Sequence, residues 1–177
     1  ATVTVEPMVT GSFSSPDTLR SSPSGTVGTF KILRESRKDG HPSPVPCFLI
    51  RHPSVGPILV DTGLHPSISS DPSKNLGRMG TSFYKPELGP GEDASSQLRD
   101  KGIDPASIRL VILTHLHIDH ASAIADFPDS TLIVTAKEWE AATSGAMPFR
   151  EGYRREQFDY AFDYRTVSFD TDDVNSY

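Results

Sequence analysis

The chain has 177 residues and 19.3 kDa, a length that fits one domain able to bury a real core. Seventeen Lys and Arg against 23 Asp and Glu leave a formal charge of −6 with no basic stripe, which argues against nucleic acid as a partner. One cysteine, Cys47, excludes an intramolecular disulfide and a cysteine-rich zinc finger, and no apolar run of about 18 residues offers a membrane span.

The first seven residues lack a basic segment followed by an apolar core, so no signal peptide is read and a cytoplasmic protein is expected, a mature secreted form being the alternative. Residues 11–28, rich in Ser, Gly and Pro, are expected to be loop, and residues 35–46 a polar turn. Cys47-Phe48-Leu49-Ile50 and Ile58-Leu59-Val60 have the length and bounding turns of two buried strands joined as a hairpin, the second ending at Asp61-Thr62-Gly63. Residues 64–93 show no period and many Pro, Gly and Ser. They are expected to form a long loop of the lid or substrate-binding kind.

Residues 94–101 predict a helix with Gly102 suited to the position just past its end. Residues 108–113 are nearly all aliphatic, as in a strand covered on both faces. A second strand-then-helix unit follows at 131–134 and 136–143, and residues 149–165 mix aromatic and charged residues without a clear period. The alternation of strands and helices is that of an α/β fold.

The chemistry concentrates in Thr114-His115-Leu116-His117-Ile118-Asp119-His120, where three of the six histidines and one carboxylate fall within six positions. An extended backbone through His117 points His115 and His117 to one side, and a turn near Ile118 swings Asp119 and His120 back toward them. Imidazole and carboxylate together suit zinc and related divalent ions. The C-terminal end of a strand is where open α/β sheets place their sites.

His-x-His-x-Asp-His after an aliphatic strand resembles the signature of the metallo-β-lactamase superfamily of metal-dependent hydrolases. Gly56-Pro57-Ile58-Leu59-Val60-Asp61-Thr62-Gly63 resembles that superfamily's earlier motif, which ends in Asp at a strand terminus. Within the superfamily, Val45-Pro46-Cys47-Phe48-Leu49-Ile50, the Asp-Thr-Gly and Thr-His-Leu-His-Ile-Asp-His-Ala look most like N-acyl-homoserine lactonases, over roughly residues 45–145. The resemblance implies a dinuclear site holding two divalent ions, zinc foremost. His115 and His117 would bind the first, Asp119 and His120 the second, and Asp119 would also count as catalytic. Asp61 would orient a ligand histidine. A metal-bridging hydroxide would then open the lactone ring.

Met79, Phe83 and Tyr84 are candidates for an acyl-chain wall, or equally for packing their loop onto its own domain. Glu138 and Trp139 match a Glu-aromatic pair of such lactonases. Trp139 is expected to pack, and neither is assigned to the site. His41, His52 and His65 sit beside prolines or in loops and are expected to face solvent.

The superfamily draws three further ligands from its second half, yet no histidine follows His120 here. Residues 1–177 therefore read as the N-terminal part of a single αββα sandwich domain, to be completed by a segment absent from this chain. The expected partners are a small lactone or ester, the C-terminal half of the same fold in the same protein or a companion chain, and in a further variant a second copy as homodimer; neither nucleic acid nor membrane is among them. Two alternatives are a glyoxalase II-like ester or thioester hydrolase and a catalytically dead metal-binding module. A nuclease member is disfavoured by the charge of −6.

Overall fold

The two apolar runs on either side of Gly56-Pro57 pair as the sequence predicts. The computed structural model describes residues 2–14, 42–144 and 152–169. In it, strand β2 (Pro42–His52) and strand β3 (Gly56–Val60) form an antiparallel hairpin with Leu49 opposite Leu59. They belong to a seven-stranded sheet of order β4-β1-β2-β3-β5-β6-β7. The other strands are β1 (Thr4–Ser14), β4 (Lys85–Glu87), β5 (Leu110–Ile112), β6 (Thr131–Thr135) and β7 (Asp163–Val167). From β3 to β7 all pairings are parallel, whereas β1 pairs antiparallel with both β2 and β4.

Strand alternation sends Met8, Cys47, Leu49, Leu59, Val111, Leu132 and Val134 to one face, where all are buried. Helices α3 (Ala94–Asp100) and α5 (Ala136–Ser144) contribute Ala94, Leu98 and Ala142 to the same core. Trp139 packs there against Tyr164 at 4.9 Å and Phe158 at 6.2 Å between ring centres, the packing role expected of it. Helix α3 stops as its sequence implies. Gly102 takes φ 72, its N–H bonds Arg99 O, and Ile103 N–H bonds Leu98 O, which satisfies two carbonyls of the last turn. Cys47 is fully buried, and burial together with the Asp61 charge pushes its thiol up to about 12, so it stays protonated and unreactive.

Several expectations are corrected. Residues 11–14 and 42–46, read as loop and turn, are strand, and the whole of β1 was unannounced; residues 15–41, His41 among them, lie outside the described residues. Gly11 (φ 81) marks the bulge of β1, and any Cβ there would collide with Glu87 O, so glycine is what lets β4 add to the sheet edge. Residues 64–93 are not a structureless loop. They carry helix α1 (Ser67–Ser70), helix α2 (Pro72–Phe83) and β4. Asp71 caps α2 by accepting from Ser73 and Lys74 N–H, with Pro72 in the first turn. Gly77 (φ 71, ψ 163) kinks it, and that kink erases the helical period the sequence would otherwise show. Leu64, Ile68 and Leu76 seat this segment in a second apolar cluster with Phe13, Val45, Leu88 and Ile118.

Candidate metal centre

The parallel strands β3 and β5 end side by side, with Asp61 N–H donating to Ile112 O at 2.8 Å. Immediately beyond, Asp61 takes φ 58, left-handed backbone that non-glycine residues seldom adopt and that Asp and Asn tolerate best. Its side chain is 3% exposed and fully used. Oδ1 accepts Thr114 N–H at 2.8 Å; Oδ2 accepts the Thr114 hydroxyl at 2.8 Å and His120 Nδ1–H at 2.9 Å. Because that hydroxyl spends its proton on Asp61, its oxygen can only accept from His115 Nδ1, 3.0 Å away. One buried carboxylate thus sets the tautomer of two histidines and leaves Nε2 of each free to bind a cation.

Helix α4 (Ile118–Ala121) begins where the spacing places a turn, with His117 as its capping residue. Thr62 stitches it to the end of β3, its N–H and hydroxyl both donating to His120 O at 2.9 and 2.8 Å. The imidazoles are gathered as expected. The His115 ring lies 3.9 Å from that of His120 and 4.6 Å from that of His117, centre to centre. Asp119 Oδ2 stands 3.6 Å from His120 Nε2.

Burial holds His115 below the ordinary imidazole range, and the neighbouring His120 and His117 push the same way against Asp61 and Asp119. His117 is also lowered by burial, with Asp119 and Glu138 opposing. For His120 burial is again the largest influence, but the Asp61 hydrogen bond and the charges of Asp119 and Asp61 together outweigh it and the net direction is upward. Neutral imidazoles beside a carboxylate are the donor chemistry of a zinc-like ion. Among the described residues, no three His, Cys, Asp or Glu converge tightly enough to form a ready-made metal-holding group. The four side chains fit such an ion by donor type and neighbourhood, and binding it would require them to draw closer.

Glu138, in the first turn of α5, was left out by the sequence reading, yet it reaches this loop. Its Oε1 accepts Leu116 N–H at 2.8 Å and its Oε2 accepts the Tyr153 hydroxyl at 3.2 Å. The local signal misleads. Thr135-x-x-Glu138 looks like a helix capping box, and Glu138 N–H does bond Thr135 Oγ1 at 3.2 Å, but the carboxylate turns to the histidine loop instead. Tyr84 is half-buried, its ring centre 5.0 Å from that of Phe13 and tilted by 33°, and burial and the Asp119 charge both raise its phenol. The side chains of Met79 and Phe83 lie outside the described ones. His65 is not solvent-facing: its Nδ1 pairs with Ser67 Oγ at 2.8 Å and its Nε2 lies 3.5 Å from Asp126. His52 accepts from Val55 N–H at 3.1 Å in the β2–β3 turn.

A sheet whose parallel strands end in a His-x-His-x-Asp-His turn, braced by an aspartate from the neighbouring strand, defines a class of metal-dependent hydrolase folds. Residues 40–175 match the Metallo-beta-lactamase superfamily, and the chain belongs to it. Membership carries with it a divalent ion, typically zinc. The chain is 38% identical over 116 residues to the N-acyl homoserine lactonase AttM of Azorhizobium caulinodans, covering 66% of this chain and 43% of that protein. To a probable metallo-hydrolase of Mycobacterium tuberculosis it is 36% identical over 106 residues, 58% of this chain and 33% of the other. A crystal structure of a Bacillus thuringiensis AiiA mutant, with N-decanoyl-L-homoserine bound at its active site, shares the fold at TM-score 0.68 and 23% identity. That likeness covers 94% of this chain and 61% of the other. The chain thus spans less than half the length of the curated relatives it matches.

Proposed function

We propose that this chain supplies four of the metal ligands of a zinc hydrolase that opens the ring of N-acyl-homoserine lactones. The observation that carries the reading is the Asp61-braced cluster of His115, His117, Asp119 and His120 at the ends of β3 and β5. Its similarity to AttM over 116 residues supports the substrate class. His115 and His117 would hold one ion, and Asp119 and His120 a second. When bound, the two ions supply Lewis acidity toward the lactone carbonyl and an activated water near neutral pH.

The chain's own residues prepare that chemistry. Asp61 engages Nδ1 of His120 directly and Nδ1 of His115 through the Thr114 hydroxyl, so that Nε2 of each ring is the nitrogen left for an ion. Asp119 adds a negative charge next to His120 and in the field of Tyr84. Tyr84, held between Phe13 and that charge, would form part of the wall facing the acyl chain.

Four donors shared by two ions fall short of the three protein ligands plus water that a catalytic zinc normally takes. The reading therefore includes further ligands from additional residues that pack on the open face of the sheet. Full-length protein tested against N-acyl-homoserine lactones should acidify its medium as rings open, lose the activity to a chelator and regain it with zinc. Turnover of glutathione thioesters with no lactone opening would replace this reading with the thioesterase one.

A further inference from the structure

The loop that carries the histidines is slung between two carboxylates. Asp61 holds the N–H of Thr114 and Glu138 holds the N–H of Leu116, each at 2.8 Å. These are alternate amides, one ahead of His115 and the other between His115 and His117, and their acceptors come from different elements, the end of β3 and the first turn of α5. Asp61 goes on to orient His120 directly and His115 through Thr114. Glu138 continues in the same manner toward the remaining histidine.

Its second oxygen accepts a hydrogen bond from the Tyr153 hydroxyl, and the Tyr153 ring stands 4.8 Å from His117 at 60°, edge against face. Tyr153 is 7% exposed and pairs with His117 as an isolated β-bridge, and Ile118 N–H bonds Gly152 O at 3.1 Å. Gly152 (φ 92) brings the backbone so close to the imidazole that a Cβ would lie 3.3 Å from His117 Cδ2. The His117 ring is thus boxed by Gly152 and Tyr153, and Tyr153 is itself anchored on Glu138.

We infer that Glu138 is a positioning residue of the metal loop, fixing His117 through Leu116 N–H on one side and Tyr153 on the other. It is the counterpart of Asp61, and together they brace all three histidines. A helix-capping role does not account for the geometry, because both carboxylate oxygens are spent away from α5. The inference rests on the proposed metal site, but not on which substrate the enzyme opens.

The test uses the full-length protein, stripped of metal and titrated with zinc against a chromophoric chelator. Glu138→Ala removes both contacts and should weaken zinc binding by ~10–100-fold, the usual loss when a ligand's supporting partner is removed. Glu138→Gln keeps an acceptor for Leu116 N–H and should lie much nearer the wild type. Tyr153→Phe keeps the ring and loses only the hydroxyl, so it should fall between them. Thermal melting of the metal-free variants runs alongside. Glu138→Ala that melts lower yet binds zinc like the wild type would show a merely structural residue and overturn the inference. Should Glu138→Ala not fold, Tyr153→Phe decides: undiminished zinc affinity there overturns it equally. Zinc affinity that falls in these variants while no lactone is hydrolysed by the parent protein would uphold Glu138 and sink the lactonase reading instead.

Discussion

The two faces of the sheet are made from the same strands and have opposite fates. One face sends Met8, Cys47, Leu49, Leu59, Val111 and Leu132 under α3, α5 and their connections, where each is at most 2% exposed. The other sends out Val5, Val9 and Phe48, which remain 61%, 52% and 36% exposed, alongside half-buried Ile50, Val60, Ile112 and Ile133. By register these residues are neighbours across the strands: Val5 faces Ile50, Phe48 faces Val60, and Ile112 faces Ile133. Contiguous apolar surface of this kind commonly marks a place where something else packs. The lesson is that the described helices close one face of the sheet and leave apolar side chains of the other in reach of water.

Mutations can break or sharpen that contrast. The largest effect is expected on the covered face, where Leu59→Ala leaves a cavity and should cost ~2–5 kcal/mol in chemical denaturation of the full-length protein. A loss below 1 kcal/mol would mean that this core is looser than its burial indicates. Phe48→Ser sharpens the comparison from the other side. If further residues cover the open face, the same protein should lose ~3 kcal/mol or more from Phe48→Ser, as for an emptied core site. If the face stays in water, the change should fall within ~0.5 kcal/mol, as for an ordinary surface position, and the proposed second layer fails.

The rim where the strands end belongs to neither face, and changes there should alter chemistry more than stability. Asp61→Asn preserves size and tolerates the left-handed backbone, but presents an N–H₂ where Thr114 and His120 need an acceptor. Zinc affinity or turnover should fall by ~10–100-fold, measured by chelator competition and by lactone hydrolysis. Wild-type values in both would reduce Asp61 to a turn residue.

The smallest effect is one of pH in the metal-free protein. His115 and His117 are held below the free imidazole value of ~6.5, so the unfolded chain binds protons that the folded one refuses. Their contribution is present above that pH and is lost as the pH falls through it. His120 is held above it, so its contribution is full below ~6.5 and lost as the pH rises through its folded value. The two trends partly cancel. Asp61→Asn removes the hydrogen bond that raises His120, and the denaturation midpoint should then fall more steeply between pH ~7 and ~5 than in the parent. Parallel pH profiles would show that the two sets of histidines are not opposed.

Some of this architecture could be read in advance, and the reasons are local. Aliphatic runs at 47–50, 58–60 and 108–113 announce buried strands because nothing else in the chain competes for them, and Gly102 announces the end of α3. The gathering of His115, His117, Asp119 and His120 was legible because imidazole and carboxylate side chains crowd into one short segment. What stayed hidden depends on distant partners. Strand β1 contains Pro7 and Gly11, poor strand residues in isolation, yet Gly11 is needed because the bulge takes it to φ 81 and Glu87 passes against it. Helix α2 is broken at Gly77 by non-helical backbone, so its apolar residues never show a regular repeat. Strand β7 exposes Asp163, Arg165 and Thr166 at the sheet's far edge and so lacks an apolar signature. Glu138 resembles a local helix cap, and only the fold reveals that its carboxylate serves a loop 22 residues away.

The conformation of Asp61 has a consequence for anyone redesigning this chain. A stabilisation campaign that surveys backbone angles would flag its φ of 58 and substitute glycine, the standard remedy for a left-handed site. A charge-conserving survey would offer glutamate instead. Glycine fits the backbone and discards the acceptor; glutamate retains the charge but suits neither the angle nor the reach to Thr114 and His120. Each choice satisfies one filter and fails the other, so libraries randomised at this codon should return aspartate almost alone when screened for metal retention, and a broader set when screened for heat resistance.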